Sequence, residues 1–398
     1  MTWWMWIIAV LAGAAVVGWG FRAAGQAAGN RPYFRDMTFG VAFGYALGAF
    51  AVIGAVWMYV LSLSSDPAVA NEFFFFGVLV NFLIIAAIAA WLFRLLGRAV
   101  GTHGSRKLFR AMPLTASFGV LTIIIYAILA IFAGAIAPYG QEQILGAANV
   151  VPGGIVELGG NPAYPLGTDQ IGRDILSRLI YGAQNTVGIA FATTCIAFFL
   201  GGSLGFLAAT LGGWLDQVLS RAVDVLMAIP SLIFALLLMT IASVWAGGDK
   251  WILTLYMVLI IALIDSTRVF RLARAVGQSI VVMDYIEAAK LRGEGLSYII
   301  FKEILPNATA PLLAEFGLRF CFVFLTIASL SFLGVGIQPP LADWGTMVSD
   351  LKNFINFASF APRVAAAPLL AAGAIAVLTV AVNFVVDWML HRSSGLKE

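Results

Sequence analysis

Residues 284–307 read DYIEAAKLRGEGLSYIIFKEILPN, the longest polar interruption between two strongly apolar segments in the second half of the chain. The run Glu287-Ala288-Ala289-Lys290 favours helix, Gly293 and Gly295 break it, an apolar-basic turn resumes, and Pro306 stops it before the next hydrophobic segment. Helix formers, a glycine break and a proline stop predict a compact docking element rather than a loose loop. The other segments are expected to hold it at a membrane surface and to move with it.

Composition supplies the membrane. The chain has 398 residues, 61% hydrophobic and 11% charged, with a mean hydropathy of +0.96. Soluble domains carry about 25% charged residues. So few charges cannot cover a globular surface, and lipid must solvate much of the chain. Several apolar runs reach the ~20 residues that span a bilayer as a helix. The net charge of +3 is small, and in such a chain the placement of Lys and Arg matters more than their sum. The basic residues sit beside the spans and form no separate basic domain, which argues against nucleic-acid binding. Cys195 and Cys321 both fall in apolar runs, as small packing residues do. His103 and His391 have no partner at metal-ligand spacing, so no metal site is expected.

Nine spans are expected along the chain. The first covers residues 1–21 and is read as a retained span with a tryptophan interface anchor, because a secretory signal would carry a basic start. The next three are about Thr38–Leu61, Phe73–Leu92 and Leu114–Ala137. Residues 138–185, rich in Gly, Pro and polar side chains, lie outside the membrane. Further spans follow at about Thr186–Leu211, Ala222–Val244, Trp251–Ala273, Ala308–Leu333 and Ala366–Leu390, with 334–365 as a second extramembrane segment. Arg22, Arg31 and Arg35, the basic linker 94–110, the segment 268–302 and the tail with Lys397 orient the chain. With a periplasmic N-terminus, all four groups fall on the cytoplasmic side.

Charged residues in a bilayer usually face a bundle interior or water. Glu315 and Arg319 lie four apart and can pair on one helix face, either as a local ion pair easing insertion or as part of a pathway or gate. Asn383 and Asp387 share that spacing and are read as structural, at a helix or subunit interface. Pro230 should bend the sixth span. Several chemistries are missing. There is no G-x-x-x-x-G-K-[ST] loop, and Gly201-Gly202-Ser203-Leu204-Gly205 lies in an apolar span without the lysine. No Ser/His/Asp set, H-E-x-x-H or Cys/His cluster occurs, so catalytic residues and a cofactor are not expected in this chain. Small residues in the spans are read as close-packing positions. Physical reasoning alone thus fits a transporter subunit, a channel or a scaffold.

Residues 284–307 resemble the EAA loop in permease subunits of binding-protein-dependent ABC importers. The match is Glu287-Ala288-Ala289, Gly293 six positions after the Glu, and Ile304-Leu305-Pro306-Asn307. The surrounding sequence is similar to the dipeptide/oligopeptide "C" permeases. It carries Leu166-Gly167-Thr168-Asp169, Gly172-Arg173-Asp174, the run LSRLIYGA at 176–183, DVLMAIPS at 224–231, ASLSFLGVGIQPP at 328–340 and then Trp344-Gly345. The resemblance covers about residues 114–392. It does not reach residues 1–97. It also departs at Ile327, where many relatives are acidic, and at Glu315 and Arg319.

The resemblance implies an all-α integral membrane protein with a six-helix type I importer core in 114–398. Three additional helices in 1–97 and a cytoplasmic linker, 98–113, would precede it. Within the core, 138–185 and 334–365 would be periplasmic and 276–306 the cytoplasmic coupling loop. Glu287, Ala288, Ala289, Gly293, Leu305 and Pro306 would couple the chain to a separate ATPase. The implied partners are a second homologous permease, one or two cytoplasmic ATPase subunits holding ATP and Mg, and a periplasmic solute-binding protein. The implied location is the bacterial inner membrane and the implied cargo peptides. Nickel chelates, opines or sugars are alternatives, and a self-sufficient secondary transporter or channel is the rival class.

Overall fold

The computed structural model describes residues 3–28, 37–64, 66–100, 102–154, 156, 159–359 and 361–393. Arg31, Arg35 and Lys397, used above for orientation, lie outside the described residues. The described chain is helical, with two isolated bridges (Asn161 with Tyr164, Thr168 with Asp174) and no strand.

Two compact units emerge, residues 1–84 and 85–398. The first holds α1 (Trp3–Ala28), α2 (Phe39–Ser62), α3 (Pro67–Glu72) and the beginning of α4 (Phe74–Ala99). Thr38 caps α2 by accepting from the Val41 amide at 3.4 Å. The Tyr59 hydroxyl donates to Asn81 at 2.8 Å, tying α2 to α4 within this unit.

The second unit continues from α4 into α5 (His103–Ala111) and α6 (Leu114–Ile136). Next, α7 (Ile175–Gly182) runs through a π-helical turn, Ala183–Val187, into α8 (Gly188–Leu211). Then come α9 (Gly213–Met227), α10 (Ser231–Trp245), α11 (Lys250–Val281) and α12 (Asp284–Leu291). A single turn, Leu296–Tyr298, and a second π segment, Ile299–Ile304, lead into α13 (Leu305–Phe332). α14 (Trp344–Leu351) and α15 (Pro362–Ser393) complete it.

Among the described residues, 7 helical segments are long and apolar enough to cross a membrane, or 8 if α9 and α10 count as one broken span. The nine expected spans differ from this number at two places among the described residues, the first span and the broken α9–α10 pair. In the first of them, the described part contributes only a shorter apolar stretch, Val10–Gly25. About 39% of the most apolar window is buried in α11 and in the 296–332 segment, against 11% in α2 and α4. α11 and α13 are thus the central helices of their unit, and the outer apolar faces need lipid or another protein.

Local chemistry explains where the helices depart from the expected boundaries. α7 begins at Ile175, well before the expected Thr186, because Asp174 caps it: the Ser177 amide and hydroxyl both donate to its Oδ2, at 2.7 and 2.6 Å. α11 continues past Ala273 to Val281 because its arginines have partners on α9. Arg271 donates to Asp224 at 2.7 Å and Arg274 to Asp216 at 2.6 Å. At Pro230 the expected bend is a break, with an angle of 88° between α9 and α10. Proline there has no amide to donate and blocks the preceding turn. α8 packs closely on α11. A Cβ on Gly205 would stand 2.7 Å from the Phe270 carbonyl oxygen and 2.8 Å from the Ala273 Cβ, and one on Gly201 would overlap the Ser266 carbonyl. Gly201 and Gly205 are therefore helix-packing positions, as expected for small residues in the spans.

Candidate functional site

The loop between α11 and α13 is built on two faces. On the inner face Ile286, fully buried, joins Phe206 of α8, Ala273 and Ile280 of α11, and Ile299, Ile300, Ile304 and Ala308 beyond the loop. Ala289, one turn on, is also fully buried. On the outer face Asp284, Glu287, Ala288 and Leu291 are exposed, Leu291 at 84%. Offsets of three, four and seven place these four on one stripe of α12. Asp284 and Glu287 lie in the first turn and Lys290 in the last, each favourably placed in the helix dipole.

The end of α12 is a Schellman motif. Gly293 has φ +82°. Its amide donates to the Lys290 carbonyl at 3.0 Å, and the Glu294 amide donates to the Ala289 carbonyl at 3.2 Å. An added Cβ on Gly293 would meet nothing within 4 Å, so the glycine is needed for its backbone angle and not for room. The motif reverses the chain and lets the π segment bring Ile299, Ile300 and Ile304 to the inner face. Asn307 closes the loop. Its side-chain amide donates to the Tyr285 hydroxyl at 3.2 Å and to the Glu303 carbonyl at 2.7 Å, so the start of α13 holds α12 directly.

The expected coupling residues thus separate. Glu287 and Ala288 are on the outer stripe, and Gly293 is exposed at the turn. Ala289 faces inward, because its spacing from Ile286 puts it on the packed side. Leu305 is half-buried at the start of α13 and Pro306 is exposed beside it, where a missing amide costs the helix least. Asp284 and Leu291 were not singled out from sequence, and Asn307 entered only as the end of the motif match. A helical-wheel count from Glu287 finds the first two, whereas nothing local reveals the Asn307–Tyr285 contact.

Of the other expected polar residues, Glu315 and Arg319 do pair, at 2.6 Å. Two side chains of α11 that sequence did not single out join them, Asp265 and Arg268. Asn383 is half-buried and Asp387 exposed on α15. They are not hydrogen-bonded to each other, and the Asp387 carbonyl instead meets His391 Nδ1 at 2.8 Å. Among the described residues, no group of three or more His, Cys, Asp or Glu side chains is arranged to hold a metal ion.

Comparison with known proteins bears on this geometry. Residues 201–394, which include the loop, match the model of a family described as binding-protein-dependent transport system inner membrane component. The dipeptide transport system permease protein DppC of Haemophilus influenzae is 35% identical over 245 residues, 62% of this chain and 80% of that one. DppC of Escherichia coli K12 is 37% identical over 243 residues, 61% and 78% of the two chains. The glutathione transport system permease protein GsiD of Pectobacterium atrosepticum is 30% identical over 265 residues, 66% and 81%.

Proposed function

We propose a mechanism from one premise: the chain belongs to the family of binding-protein-dependent transport system inner membrane components, and it is a permease subunit of an ABC importer. The cargo is peptides, the class named for its DppC relatives, and the setting is the bacterial inner membrane. ATP and Mg act in one or two separate cytoplasmic ATPase subunits. A second, homologous permease completes the path, and a periplasmic solute-binding protein delivers cargo to the face formed by 138–185 and 334–365. Six spans from residue 114 onward form the core, and three helices in 1–97 make up the nine.

The observation that carries the coupling role is the outer stripe of α12. A short helix is anchored by Ile286 and Ala289, stopped by a Schellman turn and tied by Asn307, yet presents Asp284, Glu287, Ala288 and Leu291 outward. The carboxylates can accept hydrogen bonds from a partner, Ala288 permits close approach, and Leu291 supplies an apolar contact. Because α11 enters this loop and α13 leaves it, closure of the ATPase dimer would reach the two central helices directly. In the assembled complex, Glu287→Lys should leave insertion intact while separating ATP hydrolysis from transport. Normal peptide uptake by that variant would rule out the assignment. Cross-linking from 138–185 and 334–365 to a binding protein tests the delivery face, and the ligand that co-purifies with that protein tests the cargo.

A further inference from the structure

α11 and α13 meet at a second place, a four-charge cluster inside the spans. Arg319 Nη1 stands 3.8 Å from Asp265 Oδ1, and Arg268 Nη1 stands 3.9 Å from the same oxygen. Glu315 Oε1 lies 2.6 Å from Arg319 Nε. The side chains of Asp265 and Arg319 are only 7% and 11% exposed. Two cations and two anions leave the cluster neutral, the condition under which charge is tolerated in an apolar setting.

The cluster is nonetheless unfinished. Asp265 Oδ1, Arg319 Nε and Arg319 Nη1 are buried, and none has an aligned hydrogen bond; even the close Glu315 contact is off-axis. The gap between Asp265 and Arg319 exceeds a direct hydrogen bond by roughly 1 Å. Meanwhile the Arg319 guanidinium rests 4.7 Å from the centre of the Phe322 ring, a second place for its charge. A hydrogen bond needs its donor and acceptor within about 3.2 Å and aligned, so a slide of roughly 1 Å of α11 along α13 would make or break this contact.

We propose that Asp265 and Arg319 are positioning residues of the transport cycle. They form a joint between the two helices that flank the coupling loop, loose in this conformation and drawn into direct hydrogen bonds when the loop is displaced. Glu315 holds Arg319 from its own helix, and Arg268 balances Asp265. The proposal rests on the reading of α12 as the ATPase-docking helix.

The test uses the whole importer reconstituted in liposomes, with peptide uptake and ATP hydrolysis measured together. Asp265→Asn and Arg319→Gln should each lower the peptide carried per ATP hydrolysed by roughly tenfold while hydrolysis persists. Exchange of the pair, Asp265→Arg with Arg319→Asp, should restore much of the ratio, and Arg319→Lys should lose less than Arg319→Gln. An unchanged ratio in both single variants would overturn the joint, as would loss of uptake and hydrolysis in parallel with no recovery on exchange. Spin labels at Leu263 and Leu325, both exposed, give a second measure in a chain that retains all four charges. Their separation should differ between the nucleotide-free and ATP-trapped complex, and an invariant distance would also overturn it. Glu287→Lys in the same assay reports on the docking reading separately: if coupling survives that change, docking fails whatever the labels show.

Discussion

The Thr186 hydroxyl donates to the Asp343 carboxylate at 2.7 Å, across 157 residues of sequence, with both residues fully buried. The contact sits in a closed network. The Trp344 amide donates back to Thr186 Oγ1 at 3.2 Å, the Asn185 side chain donates to the Ala342 carbonyl at 2.7 Å, and the Trp344 indole donates to the Leu179 carbonyl at 2.9 Å. Asp343 also caps α14 by accepting from the Thr346 amide at 2.9 Å. The π turn at 183–187 lies where Asn185 and Thr186 reach this network. The two segments expected on the periplasmic side are thus joined by several hydrogen bonds beside this buried carboxylate.

Asp343→Ala should therefore lower stability by about 2 kcal/mol, since it removes a cap and leaves the Thr186 hydroxyl without its acceptor. Thermal unfolding in detergent would show it as a lower midpoint. Burial pushes the Asp343 carboxyl above its ordinary value, with hydrogen bonds from Thr346 and Thr186 opposing the shift. The folded chain then holds this proton more tightly than the unfolded chain. Its contribution to stability is greatest at low pH and is lost as pH rises from the ordinary value of 3.8 towards the raised one. Asp343→Asn should flatten that part of the pH–stability curve; an unchanged slope would mean that the proton is not held there.

Adjacent alanines in α12 should respond in opposite ways. Ala288 is exposed and Ala289 fully buried. Ala289→Glu places a carboxylate against an apolar interior and should reduce the amount of folded chain, by several kcal/mol of stability. Ala288→Glu should leave folding within about 0.5 kcal/mol of normal and affect only association with the ATPase. Expression and melting temperature report on the first, co-purification of the ATPase on the second. Equal effects at the two positions would contradict the two-faced helix.

Much of this was readable from sequence where the signal was local. The run Glu287–Lys290, the break at Gly293 and the spacing of Glu315 and Arg319 all rest on neighbours within one or two turns, and each appears in the structure. Helix ends were less legible when a distant residue set them. Arg271 and Arg274 look like the end of a span until Asp224 and Asp216 are seen opposite them. Motif position alone says nothing about the helix face of Ala289, whereas its spacing from Ile286 does. Asp265 has Arg268 three residues on along its own helix, but its buried partner Arg319 is on α13, a contact that no periodicity encodes.

The packing of α8 on α11 leaves no room at Gly205. A Cβ there would contact the Phe270 carbonyl and the Ala273 Cβ at once, one of them backbone. Gly205→Val should force the helices apart and cost about 1–3 kcal/mol or more. Gly202→Ala is the internal control, because a Cβ at Gly202 meets nothing within 4 Å. The pair is best compared by melting temperature of the purified subunit and by recovery of the assembled importer. A Gly205 variant as stable as the Gly202 variant would show that the helices do not depend on this approach.

Gly293 makes the opposite case, a glycine needed for its angle alone. At φ +82° with open space around it, alanine should cost about 1 kcal/mol, asparagine less, and valine more, in the order of their tolerance for the left-handed region. The cost should fall on the last turn of α12, where the Glu294 amide bonds to the Ala289 carbonyl. Hydrogen exchange at that amide should quicken from asparagine to alanine to valine, while amides inside α11 and α13 stay as slow as in the parent chain. Transport per ATP hydrolysed should fall in the same order if α12 must be rigid to transmit displacement. Uniform exchange across the three variants would place the end of α12 under some other control than the glycine.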